Sequence, residues 1–259
     1  MSTRRAWMIP VLPVVLLALW YFYTANAQGM LYYPRPAKVL AAFQKLALSG
    51  DLPTAVATSI GRVLTGFCLA SLTAGTLGLL MGYYRTMESV MDPLIESCRP
   101  IAPIALLPLA ILWFGTGTEA AVFIVSYAAF FPMVLNTVAA VRQVDVTMVK
   151  AARTFGASQW NLLRQVILPG ALPTMLVGSR LAMGSSWTSV VAAELAVGAK
   201  AGGGGTGGIG QMMFTFYLYQ NDPNPIVACM ITVGVVGFVL DRVVQAVSLW
   251  LVPWSHRGA

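Results

Sequence analysis

Charge, histidine and organised cysteine are what this chain has least of. Of its 259 residues only 10% are Asp, Glu, Lys or Arg. Ordinary globular proteins carry about a quarter, so no water-soluble surface can be assembled here. The single histidine, His256, lies in the tail and excludes a multi-histidine metal site. Three cysteines, Cys68, Cys98 and Cys229, are odd in number, scattered and each set in an apolar stretch, which gives neither a disulfide framework nor metal-ligand spacing. There is no H-E-x-x-H, and Ser185 and Ser186 have no histidine within a span to serve as a base, so an intramembrane hydrolase lacks its parts.

What the chain does have is apolar length. Hydrophobic residues make up 58% and the mean hydropathy is +0.74. Several apolar runs approach or exceed the roughly 18 residues that cross a bilayer. These features predict an all-α, polytopic membrane protein with six transmembrane helices: Trp7–Tyr23, Ser59–Tyr83, Met91–Phe114, Glu119–Val141, Leu172–Val197 and Ile226–Asp241. Val243–Trp254 reads as an interfacial continuation of the last. Residues 1–53 form an N-terminal span and external linker, 54–254 a helical core, and 255–259 a tail.

The net charge of +7 invites a nucleic-acid reading, which the positions of the charges oppose, because they lie between apolar spans. With the N-terminus in the cytoplasm, nine basic residues fall inside: Arg4, Arg5, Arg85, Arg142, Lys150, Arg153, Arg164, Arg242 and Arg257. Four fall outside, Arg35, Lys38, Lys45 and Lys200, as the positive-inside rule requires. Arg62, Arg99 and Arg180 lie within spans or at their ends. Both termini are then cytoplasmic. The first segment also has a signal-peptide reading, with Arg4 and Arg5, an apolar stretch, then Ala25-Asn26-Ala27; its length and Pro10 and Pro13 count against cleavage. After it, Ala37–Ser49 places Val39, Leu40, Phe43, Leu46 and Ala47 at helical spacing, which predicts an amphipathic helix on the outer surface.

The longest inner segment, Arg142–Leu172, needs a reason for its length. From Val146 to Phe155 the helical wheel gathers Met148, Val149, Ala152 and Phe155, with Lys150, Arg153 and Thr154 opposite. Gly156 stands where a helix ends in a left-handed residue, and a second helix from Trp160 to Leu168 stops before Pro169. Such a pair either lies in the headgroup region or docks a partner.

The run Lys150-Ala151-Ala152, Gly156, Val166, Leu168-Pro169 resembles the EAA loop of bacterial ABC importer permeases, with the spacing intact throughout. Lys150 stands where the motif has Glu, a charge reversal that leaves the family's ion pair at that position without a counterpart here. Met91-Asp92-Pro93-Leu94-Ile95-Glu96, Arg99-Pro100, Leu107-Pro108, Trp113-Phe114-Gly115 and Val191-Ala192-Ala193-Glu194 are similar to the nitrate, taurine and aliphatic-sulfonate branch of that family. The resemblance implies the type I importer permease fold in a bacterial inner membrane, as a homodimer. Its implied partners are nucleotide-binding ATPase subunits, which hold the ATP and Mg, and a substrate-binding protein. This chain itself would hold no cofactor and no metal. The implied coupling residues are Met148, Val149, Lys150, Ala151, Ala152, Arg153, Phe155, Gly156, Ala157, Leu168 and Pro169.

Candidates for a translocation path follow from polar and proline residues in the spans. Pro93, Pro100, Pro103 and Pro108 free backbone carbonyls, which a water-lined path or neighbouring helices must satisfy. Arg99 has Glu96 and Asp92 at pairing distance along a helix. Arg180 either snorkels to the inner surface or serves anion passage. Glu194 has the position for a helix-to-helix hydrogen bond, and Ser186 and Trp187 are candidates for the cavity wall. The glycine run 202–210 contains a G-x-G-x-x-G match that no strand precedes, so it predicts a hinge rather than a phosphate loop; Gln211–Tyr219 follows as a re-entrant or interfacial segment. A secondary carrier or channel is the competing class, and it would show internal repeats and coupling carboxylates deep in the bilayer.

Overall fold

The computed structural model describes residues 34–198, 207–220 and 222–253, with residues 15, 18–22 and 24 of the first apolar segment. The expected Trp7–Tyr23 span, most of the glycine run and the tail therefore lie largely or wholly outside the described residues.

Helix α1, Pro36–Leu48, opens with proline in its first turn, where the missing N–H is no loss. It buries Val39 and Leu46 against α10 and α2 and leaves Leu40 and Leu48 exposed, as an amphipathic surface helix must. Gly50, at φ +82°, turns the chain into α2, Asp51–Tyr83. This helix begins two turns ahead of the expected Ser59.

The third expected span is corrected. Met91 to Phe114 is not one straight helix: it is built from α3, Arg85–Cys98, a break, a 3₁₀ turn at Pro103–Leu106 and α4, Leu107–Phe114. The two arms are bent by 85°. Pro100 and Pro103 flank the break; Pro103 biases the residue ahead of it toward extended backbone, and Ala102 sits at φ −63°, ψ 133°, while Arg99 ahead of Pro100 keeps helical angles. Pro93, by contrast, is carried inside α3.

Helix α5, Thr118–Arg142, is the most enclosed of the long helices and packs along both α2 and α8. Its approach to α2 is close because α2 presents Gly66, Ala70, Ala74 and Gly78, all buried and four residues apart. A Cβ on Gly66 would sit 2.6 Å from Val125, and one on Gly78 2.6 Å from Thr137. Small residues at this spacing bring backbones together where lipid supplies no hydrophobic drive.

After the hairpin that follows α5, described below, Gln159–Val197 forms one long apolar helical body. Its parts are α7, Gln159–Leu162, a π turn at Leu163–Ile167, and α8, Leu168–Gly198. The expected stop before Pro169 does not occur. The amide of Leu168 reaches back five residues to Leu163, and this wider turn is where the helix takes up the proline's missing N–H and ring. Helix α9, Ile209–Thr215, with a π turn at Phe216–Gln220, packs on α8 and α10. Last comes α10, Pro223–Leu251, one continuous helix through Asp241 and Arg242. The expected end at Asp241 fails because both charges are satisfied: Asp241 pairs with Arg180, while Arg242 lies 4.8 Å over the Phe238 ring and donates to Gln245.

Among the described residues, four helices are long and apolar enough to cross a membrane, α2, α5, α7–α8 and α10, and a fifth if the bent pair is one span. The expected count of six therefore rests partly on residues outside those described.

Candidate functional site

Two features combine chemistry with exposure. The first is the hairpin between α5 and α8. Helix α6, Val146–Thr154, is capped by Asp145, whose carboxylate accepts from the Thr147 amide at 2.7 Å. That hydrogen bond holds the Asp145 carboxyl below the usual carboxylate range. The other end closes at Gly156, φ +78°, with the Ala157 amide donating to Ala152 O and the Gly156 amide to Arg153 O, the paired bonds of a Schellman turn. Ser158 then caps α7 through Asn161 N.

The structure divides the expected apolar face of α6. Val149 and Ala152 pack onto the core cluster of Ala140, Val141, Leu162, Ile167 and Ala171. Met148 and Phe155 point away from it, 63% and 91% exposed, beside exposed Val146 and Trp160. Lys150, Ala151, Arg153 and Gly156 are exposed, Ala157, Leu168 and Pro169 half-buried. Tyr83 donates to Gln159, and Arg142 pairs with Glu88, so the hairpin is tied to α2 and α3. The result is a firmly seated helix with an unpartnered apolar tip.

The second feature is an open cavity of about 640 Å³ between the α3–α4 break, α5 and α8. Arg99 and Pro103 line it, as do Tyr127 and Asn136 from α5 and Ser185, Thr188 and Ser189 from α8. Its size falls in the range of small-ligand sites. Pro132 in α5 removes the helical donor to Ala128 O, and both residues are at the wall.

The other path candidates lie elsewhere. Pro108 opens α4 and does not line the cavity. Ser186 and Trp187 are buried on the opposite side of α8, and the indole donates to Val233 O of α10 at 3.0 Å. One residue along a helix is a turn of about 100°, so neighbours of Ser185 face another helix. Arg180 forms a two-pronged pair with Asp241 of α10, at 2.5 and 2.6 Å. Arg99 makes no ion pair with Glu96 or Asp92.

Glu194 is buried and accepts from Arg62 at 2.7 Å, from Ser59 at 2.8 Å and from the Gly210 amide at 3.1 Å, while the Ile209 amide donates to Ser59. It thus binds α2 and the start of α9 to α8. Gly208 lets the backbone come this close, for a Cβ there would lie 2.1 Å from the Glu194 carboxyl. Sequence reasoning placed Arg62 in or near a span without its partner. Among the described residues no group of three or more His, Cys, Asp or Glu side chains could hold a metal ion.

Comparison with known proteins follows the same lines. A family model described as "Binding-protein-dependent transport system inner membrane component" matches residues 66–252. The chain is 38% identical over 235 residues to a putative ABC transporter permease of Methanocaldococcus jannaschii, covering 89% of this chain and 85% of that one. It is 31% identical over 251 residues to the taurine transport system permease protein TauC of Escherichia coli, covering 95% and 88%. It is 35% identical over 200 residues to the bicarbonate transport system permease protein CmpB of Synechococcus elongatus, covering 77% and 68%. Among solved structures, an inward-facing MetNI methionine ABC transporter chain aligns with a TM-score of 0.53 at 22% identity, covering 81% of this chain and 96% of that one.

Proposed function

Since this chain belongs to the family of binding-protein-dependent transport system inner membrane components, we propose that it is the permease subunit of an ATP-driven importer for a small anion or zwitterion. It has the ABC importer permease fold and is a multi-pass membrane protein. On this reading two copies form the conduit, and separate nucleotide-binding subunits, which hold ATP and Mg, dock on the inner hairpin. A substrate-binding protein delivers cargo from outside, and both termini are cytoplasmic. The cargo class follows from relatives named for taurine and bicarbonate.

The observation that carries the reading is the tip of α6. Phe155, 91% exposed, is held out by a turn that only a left-handed residue closes, on a helix seated by Val149 and Ala152. An aromatic anchor with small neighbours, Ala151, Gly156 and Ala157, is the kind of knob that fills a pocket on a partner. Because α7 continues into α8 through the π turn, displacement of the knob moves α8 as a lever, and alternating access of the α8-lined cavity is the expected consequence.

The test is reconstitution. Crosslinkers placed at Met148 and Phe155 should capture a co-expressed nucleotide-binding ATPase subunit, and uptake of taurine, ethanesulfonate, bicarbonate or nitrate into proteoliposomes should require ATP. Uptake without nucleotide, and without any crosslink to the ATPase, would leave a secondary carrier or channel as the reading.

A further inference from the structure

The cavity between the α3–α4 break, α5 and α8 has an unusual charge inventory. Arg99 is its one side chain of permanent charge, and no carboxylate lines it. The Arg99 side chain is exposed and has no carboxylate partner among the described residues. Its backbone is held: Cys98 O accepts from the Tyr127 hydroxyl at 2.7 Å and from the Ile101 amide at 3.1 Å, so the end of α3 is pinned to α5. Across the cavity, α8 presents Leu181, Ser185, Thr188 and Ser189 on one face, spaced by four, three and one. Thr188 donates to its own backbone at Gly184 and Ser185. Among the described residues, the hydroxyls of Ser185 and Ser189 donate to no protein group.

We propose that this cavity contains an oxyanion subsite in the conduit, with the Arg99 guanidinium as its cation and the Ser185 and Ser189 hydroxyls as its neutral donors. It takes the sulfonate, carboxylate or similar singly charged oxygen cluster of the cargo. A fork of N–H donors matches such a group, and hydroxyls solvate it without adding a second charge that would trap it. One cation per chain attracts an anion while leaving the binding weak enough for release, as passage requires. The assignment deepens the proposed function and rests on it for the identity of the ligand as cargo.

The test reads the local field at a reporter that is outside the subsite. In a C68S/C98S background, which removes the two exposed cysteines and keeps buried Cys229, T188C is placed on the cavity wall. The full-length protein is held in phosphatidylcholine nanodiscs. Rates of modification by methanethiosulfonate reagents bearing an ethylsulfonate or an ethyltrimethylammonium group are measured and expressed as a ratio. A cleft of one charge sign raises the local concentration of counter-ions by about tenfold or more. R99Q should therefore lower the anionic-to-cationic ratio by about tenfold, R99K should restore most of it, and ethanesulfonate should slow modification only where the positive charge is present.

An unchanged ratio in R99Q, or equal slowing by ethanesulfonate with and without the charge, would overturn the subsite. R99K separates loss of charge from loss of fold. Slowing by phosphatidylglycerol in the disc but not by ethanesulfonate would overturn it in favour of a lipid headgroup. Because no ATPase enters the assay, failure of the hairpin to bind a motor would sink the proposed function and leave this result standing.

Discussion

The Glu194 carboxylate receives the Arg62 guanidinium at 2.7 Å with both side chains closed off from solvent, 4% and 1% exposed. The two residues are 132 positions apart in the chain, and their pairing fixes the C-terminal part of α8 to α2. Ser59 and the Gly210 amide complete the acceptor's shell, so the charge is both paired and hydrogen-bonded, as burial demands.

Breaking this pair from one side leaves a buried charge. E194A is expected to destabilise the protein by about 3 to 5 kcal/mol, R62A by a similar amount, and the double variant by less than the sum. Thermal unfolding of the four proteins in one detergent checks the cycle. E194Q, which keeps an acceptor for Ser59 and Gly210, should fall between wild type and E194A.

Gly156 has φ +78° and nothing within 4 Å of where a Cβ would stand, so the cost of a side chain there is conformational. The expected order of coupled ATPase and uptake is Gly, then Asn, then Ala, then Val, with a backbone cost of about 1 to 2 kcal/mol for Ala. G156A matching wild type in both assays would remove the turn from the coupling account.

The Asp145 cap sets a pH dependence. Its carboxyl is held below the ordinary value of 3.8 by the Thr147 amide, so the folded group releases its proton more readily than the unfolded one. The cap is complete at neutral pH and fades as pH falls through that lowered value. Hydrogen exchange at the Thr147 amide, corrected for the intrinsic rate, should lose protection in wild type as pH is taken toward 3, roughly the carboxylate range. In D145N, whose amide also caps helices, protection should not change over the same interval.

The Arg180–Asp241 pair is partly exposed, at 42% and 36%, and joins α8 to α10. R180A and D241A should each lower folded yield from membranes, and the exchange R180D/D241R should recover most of it. Failure of the exchange with normal yields of both single variants would mean that the pair holds nothing together.

Much of this architecture is legible in the sequence because it is local. The amphipathic period of α1, the glycine that ends α6, and the apolar runs of α2, α5 and α10 all depend on residues within a turn or two of each other. The bend in the third expected span is less legible. Six prolines could interrupt helices, yet Pro93, Pro132, Pro169 and Pro173 stay inside them, and only the Pro100–Pro103 neighbourhood opens. Which proline breaks a helix depends on whether neighbours or a π turn can satisfy the freed carbonyl. Ser185 and Ser189 form one polar face at helical spacing, whereas the expected wall residues Ser186 and Trp187 lie on the opposite side of α8. The Arg62–Glu194 pair leaves no local pattern at all, since only the packing of α2 on α8 brings the two together.

The bare tip of α6 has a thermodynamic corollary. Val146, Met148, Phe155 and Trp160 are exposed in the isolated chain. Seating them in a socket withdraws apolar surface from hydration, so calorimetric titration of the motor onto the permease, repeated across temperatures, should give an enthalpy that grows more negative on warming. A binding heat flat with temperature would mean that the aromatic tip stays hydrated in the assembled importer.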